Sequence, residues 1–152
     1  VFLDLFAGSG SMGIEAISRG ADYTIFVDNS PEAIKTIKDN LKNCGFKDKY
    51  ALYKADAVKI LLEFQRKQMK FDIIYVDPPF TNEEIFAQVL EALDRACLLK
   101  EEGILAIRSY TKKNLPDNLD NLVKYRTKEY GESMVHFYGV KNKEVPNNDG
   151  NF

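Results

Sequence analysis

The sequence predicts a doubly wound α/β domain whose mostly parallel sheet ends in an antiparallel hairpin. Three observations support this fold class. Apolar strand-like runs alternate with segments of helical periodicity five times along the chain. A glycine-rich turn follows the first apolar run, as where a buried parallel strand leads into a helix. Two late strand-like segments, 122–128 and 133–140, are joined by so short a turn that they must be antiparallel.

The first half of the chain is predicted to contain three strand–helix units. Ser11 caps the first helix, and Ser30 with Pro31 begins the second. Gly20 and Gly45 end these two helices. The strands of this half are expected at residues 1–5, 23–27 and 51–55. The helix faces predicted to point inward contain Ile14 and Ile17 in the first helix, and Ile34, Ile37, Leu41 and Cys44 in the second.

The second half is predicted to begin with a strand that is buried on both faces. Residues 71–76 read FDIIYV, an almost unbroken apolar run. A long amphipathic helix begins near Asn82 and extends to Cys97, and a strand follows at 104–107. The hairpin comes next and completes seven strands. Residues 141–152 are polar and are expected to form a loose tail after a single domain at 1–140.

Composition excludes several classes of protein. The 152 residues are 45% hydrophobic and 29% charged, which excludes a disordered chain, a collagen-like repeat and a disulfide-dense miniprotein. No apolar run approaches the length of about 18 residues needed to span a membrane. The net charge of −2 argues against a large electrostatic footprint on nucleic acid. Cys44 and Cys97 have no partner at metal-ligand spacing, so we expect reduced core thiols in a cytoplasmic protein.

The glycine turn is the first candidate binding element. It follows Asp4 and reads LFAGSGSMG, in which Gly8, Gly10 and Gly13 satisfy the pattern G-x-G-x-x-G. Glycines at this spacing let the backbone approach a ligand at the start of a helix. The pattern alone is a weak signal, because a tight strand-to-helix turn that needs glycine only for packing gives the same letters.

Carboxylates follow the next two strands. Asp28 comes 18 residues after Gly10, a spacing that suits a carboxylate accepting hydrogen bonds from the hydroxyls of a ribose. Its alternative role is to favour the N-terminus of the next helix. Asp56 and Ala57 follow the third strand and could contact an adenine, although Asp56 could equally be only a helix cap.

The segment Asp77-Pro78-Pro79-Phe80 is the most specific motif in the chain. It follows the buried FDIIYV strand directly. The prolines stiffen the loop and leave the Pro78 carbonyl available as an acceptor beside the Asp77 carboxylate. Phe80 supplies a ring on which a planar base can stack. Two acceptors and an aromatic face fit a planar group with an exocyclic amine, whereas a plain turn would need neither the acid nor the ring.

The other polar residues are less informative. His136, the only histidine, is expected to be structural or superficial rather than a base. Basic residues that could contact phosphates are equally consistent with a solvated face: Lys112, Lys113, Lys124, Arg126 and Lys128. The sequence contains no recognisable Ser-His-Asp set and no metal-ligand cluster.

Three segments together resemble a known family. DLFAGSGSMGIEAISRGA, VDNSPEAIKTIKDNL and FDIIYVDPPF are similar to the RsmD-type bacterial 16S ribosomal RNA guanine-N2 methyltransferases, in the family's order and over residues 1–140. The resemblance implies a Rossmann-like class I fold and S-adenosylmethionine (SAM) as cofactor. It also implies a cytoplasmic monomer that methylates 16S ribosomal RNA, within the small subunit or its precursor, without a metal or a membrane.

The resemblance also implies roles for individual residues. Phe6, Ala7, Gly8 and Gly10 would line the methionine part of SAM, and Asp4 would anchor this turn or bind the SAM amino group. Asp28 and Asn29 would hold the ribose. Asp56 and Ala57 would hold the adenine. The residues implied at the target base are Asp77, Pro78 and Phe80.

One departure from the family pattern and three alternatives remain at this point. Family members carry a further segment before the first strand that is expected to help bind RNA, and this chain begins at Val1 without it. Related tetrads also serve amino methylation of DNA adenine or a protein glutamine. A nicotinamide-dependent oxidoreductase would share the glycine pattern but would not need the tetrad. A non-catalytic SAM- or RNA-binding module is the third alternative.

Overall fold

A computed structural model describes residues 1–79, 83–110 and 113–141 of the chain. These residues form one seven-stranded sheet with helices on both faces. The strands are β1 Phe2–Leu5, β2 Thr24–Asp28, β3 Tyr50–Lys54, β4 Phe71–Val76, β5 Leu99–Tyr110, β6 Leu122–Tyr130 and β7 Ser133–Val140. The helices are α1 Ser11–Ser18, α2 Pro31–Asn43, α3 Ala57–Arg66 and α4 Glu83–Ala96.

The strand order places the loops that bear the motifs at one edge of the sheet. The order is β3-β2-β1-β4-β5-β7-β6, with β1 to β5 parallel and β7 inserted antiparallel between β5 and β6. The C-terminal ends of the parallel strands therefore meet at a single edge. Ser133 pairs with both Tyr110 and Tyr130, so the turn of the β6–β7 hairpin lies at this same edge.

The hydrophobic core has two parts, one on each face of the sheet. On one face, α3 and α4 pack against the central strands through large buried residues such as Leu5, Phe64 and Val76. On the other face, α1 and α2 pack against Phe26 of β2, with Ile37 and Leu41 of α2 buried there. Each helix buries one apolar stripe, as expected for a sheet covered on both sides. The core thus fixes the strand ends from which the loops emerge.

The observed fold confirms the predicted class, including the antiparallel C-terminal hairpin. Strand β5 is longer than the predicted 104–107, because residues from Leu99 onward continue along β4 through an irregularity in register. Parts of the prediction concern residues outside those described: the ring of Phe80, the helix start at Asn82, Lys112 and the tail beyond residue 141.

The expectation of two buried thiols is wrong. Cys44 and Cys97 are free and exposed. Helix α2 ends at Asn43, so Cys44 lies at the helix cap beyond the apolar stripe. Cys97 follows the last residue of α4 and has a positive φ of 52°, which turns it away from the inward face of that helix. The apolar periodicity of the sequence thus continues one residue beyond the observed end of each helix.

No helix formed by residues 1–79, 83–110 or 113–141 is long and apolar enough to cross a membrane. Within the same part of the chain, no group of three or more His, Cys, Asp or Glu side chains is arranged to hold a metal ion.

Gly13 provides a direct test of how closely α1 packs on the sheet. A Cβ atom at this position would lie 2.3 Å from a ring carbon of Phe26, which is fully buried. We expect Gly13→Ala to lower the free energy of unfolding by about 1–3 kcal/mol, because the ring must move in a closely packed core. Chemical denaturation measures the change.

The matched control is Ser18→Ala, an exposed position in the last turn of the same helix. Its free energy of unfolding should stay within about 0.5 kcal/mol of the wild-type value. Equal stability of the two variants would show that α1 does not approach Phe26 this closely.

Candidate functional site

The glycine turn between β1 and α1 is held from below by a buried carboxylate. Asp4 is only 2% exposed, and its Oδ2 accepts a hydrogen bond of 2.9 Å from the backbone N–H of Gly13. Gly10 occupies the N-cap position of α1 and has no side chain with which to cap the helix. Asp4 therefore satisfies one of the free N–H groups at the start of α1 from the adjacent strand.

The backbone of this turn is left-handed at alternate residues. Phe6, Gly8 and Gly10 have φ values of 61°, 58° and 79°. Two of them are glycines, for which this conformation carries no steric cost, but Phe6 is a bulky residue for which it is unfavourable. Such conformations persist where the surrounding structure enforces them, and they cluster at binding sites. No pattern in the sequence indicates the unfavourable backbone conformation of Phe6.

A second carboxylate holds the turn from the end of β2. The Oδ2 atom of Asp28 accepts a hydrogen bond of 2.8 Å from the N–H of Gly8, and its Oδ1 atom accepts one of 3.0 Å from the N–H of Ser30. Ser30 in turn caps α2 by accepting a hydrogen bond of 3.2 Å from the N–H of Ala33. Asp28 thus fixes the glycine turn and the start of α2 relative to each other.

Asp56 lies on the next loop and is a helix cap. Its Oδ2 atom accepts a hydrogen bond of 3.0 Å from the N–H of Lys59, while Ala57 begins α3. The loop is anchored to the neighbouring strand, because the N–H of Ala55 donates to the carbonyl of Asp28 at 3.1 Å. The capping role does not exclude contact with a ligand, since Asp56 and Ala57 both line the cleft described below.

Asp77 lies at the end of β4 and forms an ion pair with Arg108 of β5. Its Oδ2 atom is 3.3 Å from Nη1 of Arg108, and both side chains are about one-third exposed. Burial raises the pKa of Asp77 above its usual range, and the positive charge and hydrogen bond of Arg108 oppose this increase. Pro78 is buried, whereas Pro79 is exposed. The loop thus presents the Asp77 carboxylate beside the strand ends.

These loops enclose a cleft of about 680 Å³ at the C-terminal edge of the sheet. The volume is within the range of small-molecule and cofactor sites, and the position is that at which open α/β sheets bind ligands. The residues that line the cleft come from all four loops: Phe6, Ala7, Gly8, Ser9, Ser11, Met12, Val27, Asp28, Asn29, Ser30, Ala55, Asp56, Ala57, Asp77, Pro79 and Ile85.

Most of the residues singled out from the sequence line this cleft. Among the described residues the exceptions are Asp4, Gly10, Gly13 and Pro78, and Phe80 lies outside the described residues. Asp4 supports the turn from beneath, as one of its two implied roles requires. Gly10 packs against the core, since a Cβ there would lie 3.1 Å from Ile37. Pro79 lines the cleft in place of its buried neighbour Pro78.

Several lining residues were not foreseen. Ser11, Met12 and Ile85 belong to helices, where Ser11 read as a cap and Ile85 as a core residue. Met12 is 42% exposed at the start of α1. The signal available in the sequence is a large apolar residue placed directly after the glycine turn.

The lining of the cleft fits a cationic nucleoside such as SAM. Three carboxylates, from Asp28, Asp56 and Asp77, line it, and none of the described lining residues carries a basic side chain. A Cβ at Gly8 would meet nothing within 4 Å, so the turn leaves open space where a ligand can approach the backbone. An acidic cleft suits the sulfonium and ammonium groups of SAM and disfavours the pyrophosphate of a dinucleotide.

None of the less informative residues that the structure describes lines the cleft. His136 is 1% exposed, and its Nε2 atom is 2.9 Å from Oγ of Ser109. Burial lowers the pKa of His136 to about 4, with a contribution from the charge of Lys124. A structural role agrees with this environment. Lys113 forms an ion pair with Glu83 at 3.0 Å, and Lys124 forms one with Asp117 at 3.4 Å.

A Rossmann-like sheet with an antiparallel final hairpin and an acidic cleft at its strand ends defines a methyltransferase-type nucleoside-binding domain. The chain belongs to the family described as Conserved hypothetical protein 95, whose profile matches residues 1–139. This result confirms the RsmD-type resemblance, since relatives named small subunit methyltransferase D are among its homologues.

Curated relatives are ribosomal RNA methyltransferases by name. YlbH of Bacillus subtilis, provisionally named an rRNA methyltransferase, is 37% identical over 90% of this chain and 73% of its own length. Ribosomal RNA small subunit methyltransferase D of Haemophilus influenzae is 30% identical over 76% of the chain and 61% of its own length. Ribosomal RNA large subunit methyltransferase I of Vibrio cholerae is 34% identical over 70% of the chain, but the match covers only 26% of that enzyme.

Solved structures share the fold. A conserved protein of Streptococcus pyogenes matches with a TM-score of 0.80 and 33% identity over 93% of this chain and 85% of its own. HI0767 of Haemophilus influenzae, provisionally named a methylase, matches with a TM-score of 0.75 and 26% identity over 91% of this chain and 84% of its own. SMU.776, crystallised with S-adenosylhomocysteine, matches with a TM-score of 0.72 over 91% of this chain and 44% of its own. Its identity is only 15%, so it supports the fold alone. The expected cofactor class, SAM, agrees with these relatives.

Asp4 predicts a pH dependence of stability. Burial is the largest cause that raises its pKa to about 7, and the charges of Asp77 and Asp28 also raise it. The hydrogen bond from Gly13 lowers the pKa and offsets part of this increase. A raised pKa in the folded state means that folding favours the protonated form, so this stabilisation is lost as pH rises from about 4 through about 7. Asp4→Asn cannot ionise and keeps an oxygen that accepts from Gly13. Between about pH 5 and 7, the wild type should lose about 2–3 kcal/mol of unfolding free energy relative to Asp4→Asn.

Denaturation at a series of pH values tests this expectation. Asp22→Asn, an exposed position in the loop before β2, is the matched control and should follow the wild-type curve. Parallel curves for the wild type and Asp4→Asn would contradict the assigned titration of Asp4.

Proposed function

We propose that this protein transfers a methyl group from SAM to the exocyclic 2-amino group of a guanine in 16S ribosomal RNA. The observation that carries the proposal is the position of the Asp77 carboxylate, which lines the same cleft as the glycine turn and the carboxylates of β2 and β3. An acceptor for an amine and a site for a nucleoside cofactor therefore adjoin. In the same proposal the protein is a cytoplasmic monomer that acts on the small subunit or its precursor.

The cofactor side of the cleft is assigned to the loops after β1, β2 and β3. Asp28 would accept hydrogen bonds from the ribose hydroxyls, with Asn29 beside it. Asp56 and the backbone of Ala57 would contact the adenine. The open backbone at Gly8, with Phe6 and Ala7, would face the methionine part. When bound, SAM supplies an electrophilic methyl group on its sulfonium sulfur.

Asp77 is assigned to the acceptor amine. The 2-amino group of guanine is a weak nucleophile, because its lone pair is delocalised into the ring. A carboxylate that accepts its N–H bonds favours a pyramidal nitrogen and stabilises the positive charge that develops on it. The raised pKa of Asp77 also suits this carboxylate to take the proton that the nitrogen must lose. The Pro78 carbonyl is proposed as the second acceptor, and Phe80 as the ring on which the base stacks.

Arg108 favours the ionised form of Asp77. The 3.3 Å ion pair opposes the effect of burial on the Asp77 pKa and fixes one carboxylate oxygen at the end of β4. A carboxylate that were protonated in the resting state could not accept both the hydrogen bonds and the proton. Arg108 is therefore a positioning residue for Asp77.

Small-subunit RNA is the preferred substrate because the match covers a larger share of the small subunit enzyme than of the large subunit enzyme. The match to the small subunit enzyme D of Haemophilus influenzae covers 61% of that enzyme, whereas the match to the large subunit enzyme I covers only about a quarter. Similarity to the latter is therefore confined to one part of a longer protein.

Nucleoside analysis of 16S RNA tests the proposal. RNA is prepared from cells with and without this gene, digested, and analysed by mass spectrometry for N2-methylguanosine. Loss of one such nucleoside, restored by the wild-type gene, is the expected result. An unchanged digest would refute methylation of 16S RNA and direct the search to 23S RNA, DNA adenine or protein glutamine.

Asp77→Ala separates the chemistry from cofactor binding. We expect the variant to lower turnover at least about 100-fold, since general acid–base catalysis typically contributes 10²–10⁴-fold. The affinity for SAM, measured by calorimetry, should change much less. Asp22→Ala, at an exposed loop position, should match the wild type in both measurements. Equal losses of turnover and of SAM affinity would contradict the assigned role.

Asp28→Asn tests the cofactor side. The variant keeps one oxygen for the backbone N–H of Gly8 or Ser30 but loses the charge. We expect SAM affinity to fall about 10- to 100-fold, as a hydrogen bond to a charged group contributes about 1.5–3 kcal/mol. Calorimetry measures the change, with Asp22→Asn as the matched control. Unchanged affinity for SAM would exclude Asp28 from the ribose site.

A further inference from the structure

The hairpin side of the sheet presents basic and aromatic side chains on one face. Directly paired residues of antiparallel strands point to the same face. Val135 pairs with Arg108 on one side and with Lys128 on the other, and Ser133 joins Tyr110 to Tyr130 in the same way. We call this surface the hairpin face, defined by Arg108, Tyr110, Arg126, Lys128 and Tyr130.

Cations and aromatic rings alternate on the hairpin face. The Lys128 ammonium lies 5.1 Å from the centre of the Tyr130 ring, and the Arg126 guanidinium lies 5.6 Å from the centre of the Phe137 ring. Tyr110 and Tyr130 are each 50% exposed. Glu129, the acidic residue of β6, pairs with Met134 and so points to the opposite face. The face is thus locally basic on a chain whose net charge is −2.

The hairpin face adjoins the proposed acceptor site. Tyr110, Tyr130 and the hairpin turn lie at the C-terminal edge of the parallel strands, as does Asp77. Arg108 belongs both to the hairpin face and to the 3.3 Å ion pair with Asp77. Any chain that places one nucleotide beside Asp77 therefore has further nucleotides within reach of this surface.

We propose that the hairpin face binds the RNA strand next to the target nucleotide. This proposal rests on the proposed function, because it assigns the contacts of the same RNA substrate. Exposed tyrosine rings provide stacking platforms for unpaired bases, and the interleaved Arg126 and Lys128 provide contacts to phosphates. A strand with its target base turned out of the stack needs such substitute partners. An acidic protein partner would satisfy the cations but would not need the rings.

Binding of a short, fluorescein-labelled single-stranded RNA to the 152-residue chain tests the proposal, with fluorescence anisotropy as the readout. The test variants are Lys128→Glu and Tyr130→Ala. The matched controls are Lys67→Glu, which reverses an exposed charge beyond the end of α3, and Tyr130→Phe, which keeps the ring. Circular dichroism and SAM calorimetry establish that each variant is folded and binds the cofactor.

We expect Tyr130→Ala to weaken RNA binding about 5- to 100-fold, the effect of removing one stacking platform. Lys128→Glu should weaken RNA binding and lower the salt dependence by about one phosphate contact. Both variants should bind SAM like the wild type, and both controls should bind RNA like the wild type. The same order should hold for methylation of an unmodified 16S transcript.

Three results would overturn this assignment. If the variants bind RNA as the wild type does while the wild type methylates the transcript, the hairpin face is not the RNA surface and the proposed function stands. If the variants change only self-association, seen by ultracentrifugation, the face is an interface between copies. A wild-type chain that binds SAM but neither binds nor methylates RNA would instead refute the proposed function, and this inference with it.

Discussion

Two carboxylates on adjacent strands hold the turn on which the cleft depends. Asp4 accepts the N–H of Gly13 from beneath, and Asp28 accepts the N–H of Gly8 from the side. The turn between them contains three residues with positive φ, including Phe6. It leads into α1, whose N-cap residue has no side chain. Without these acceptors, the N–H groups of Gly8 and Gly13 would have to be satisfied by water or by another conformation of the turn. The same two acids thus shape the wall of the cleft, and Asp28 also contributes to its negative charge.

The order of elements and the sheet class were predictable because they follow from local patterns. Parallel strands such as 71–76 read as continuous apolar runs, and Ser30 with Pro31 is a local helix start that the structure reproduces. The expectation that 71–76 is buried on both faces is wrong, because Ile73 is 38% exposed on one of them. Errors arose where a boundary depends on tertiary contacts. The early part of β5 contains Glu101, Glu102 and Gly103 and resembles a turn, but pairing with β4 extends it into a strand. Cys44 and Cys97 continue a helical period that the backbone has already left.

The candidate site was predictable to the level of loops but not of individual contacts. The ends of β1 to β4 are each marked by an acid or a glycine, and these loops do meet in one cleft. The sequence could not show that Pro79 rather than Pro78 lines it, because which of two adjacent prolines is buried depends on the packing of the loop. It also could not show the pair between Asp77 and Arg108. Those residues are far apart in the chain and meet only because β4 and β5 are neighbours.

The most direct test of the account is a titration of the isotopically labelled chain with SAM, followed by amide NMR. The account predicts that the largest shifts concentrate at Gly8, at 28–30 and at 56–57, because the backbone there forms the wall of the cleft. Amides of the apolar groove around Leu93 and Leu122, a separate cavity, should not move. Shifts confined to that groove, or no shifts at saturating SAM, would contradict the assignment of the cleft as the cofactor site.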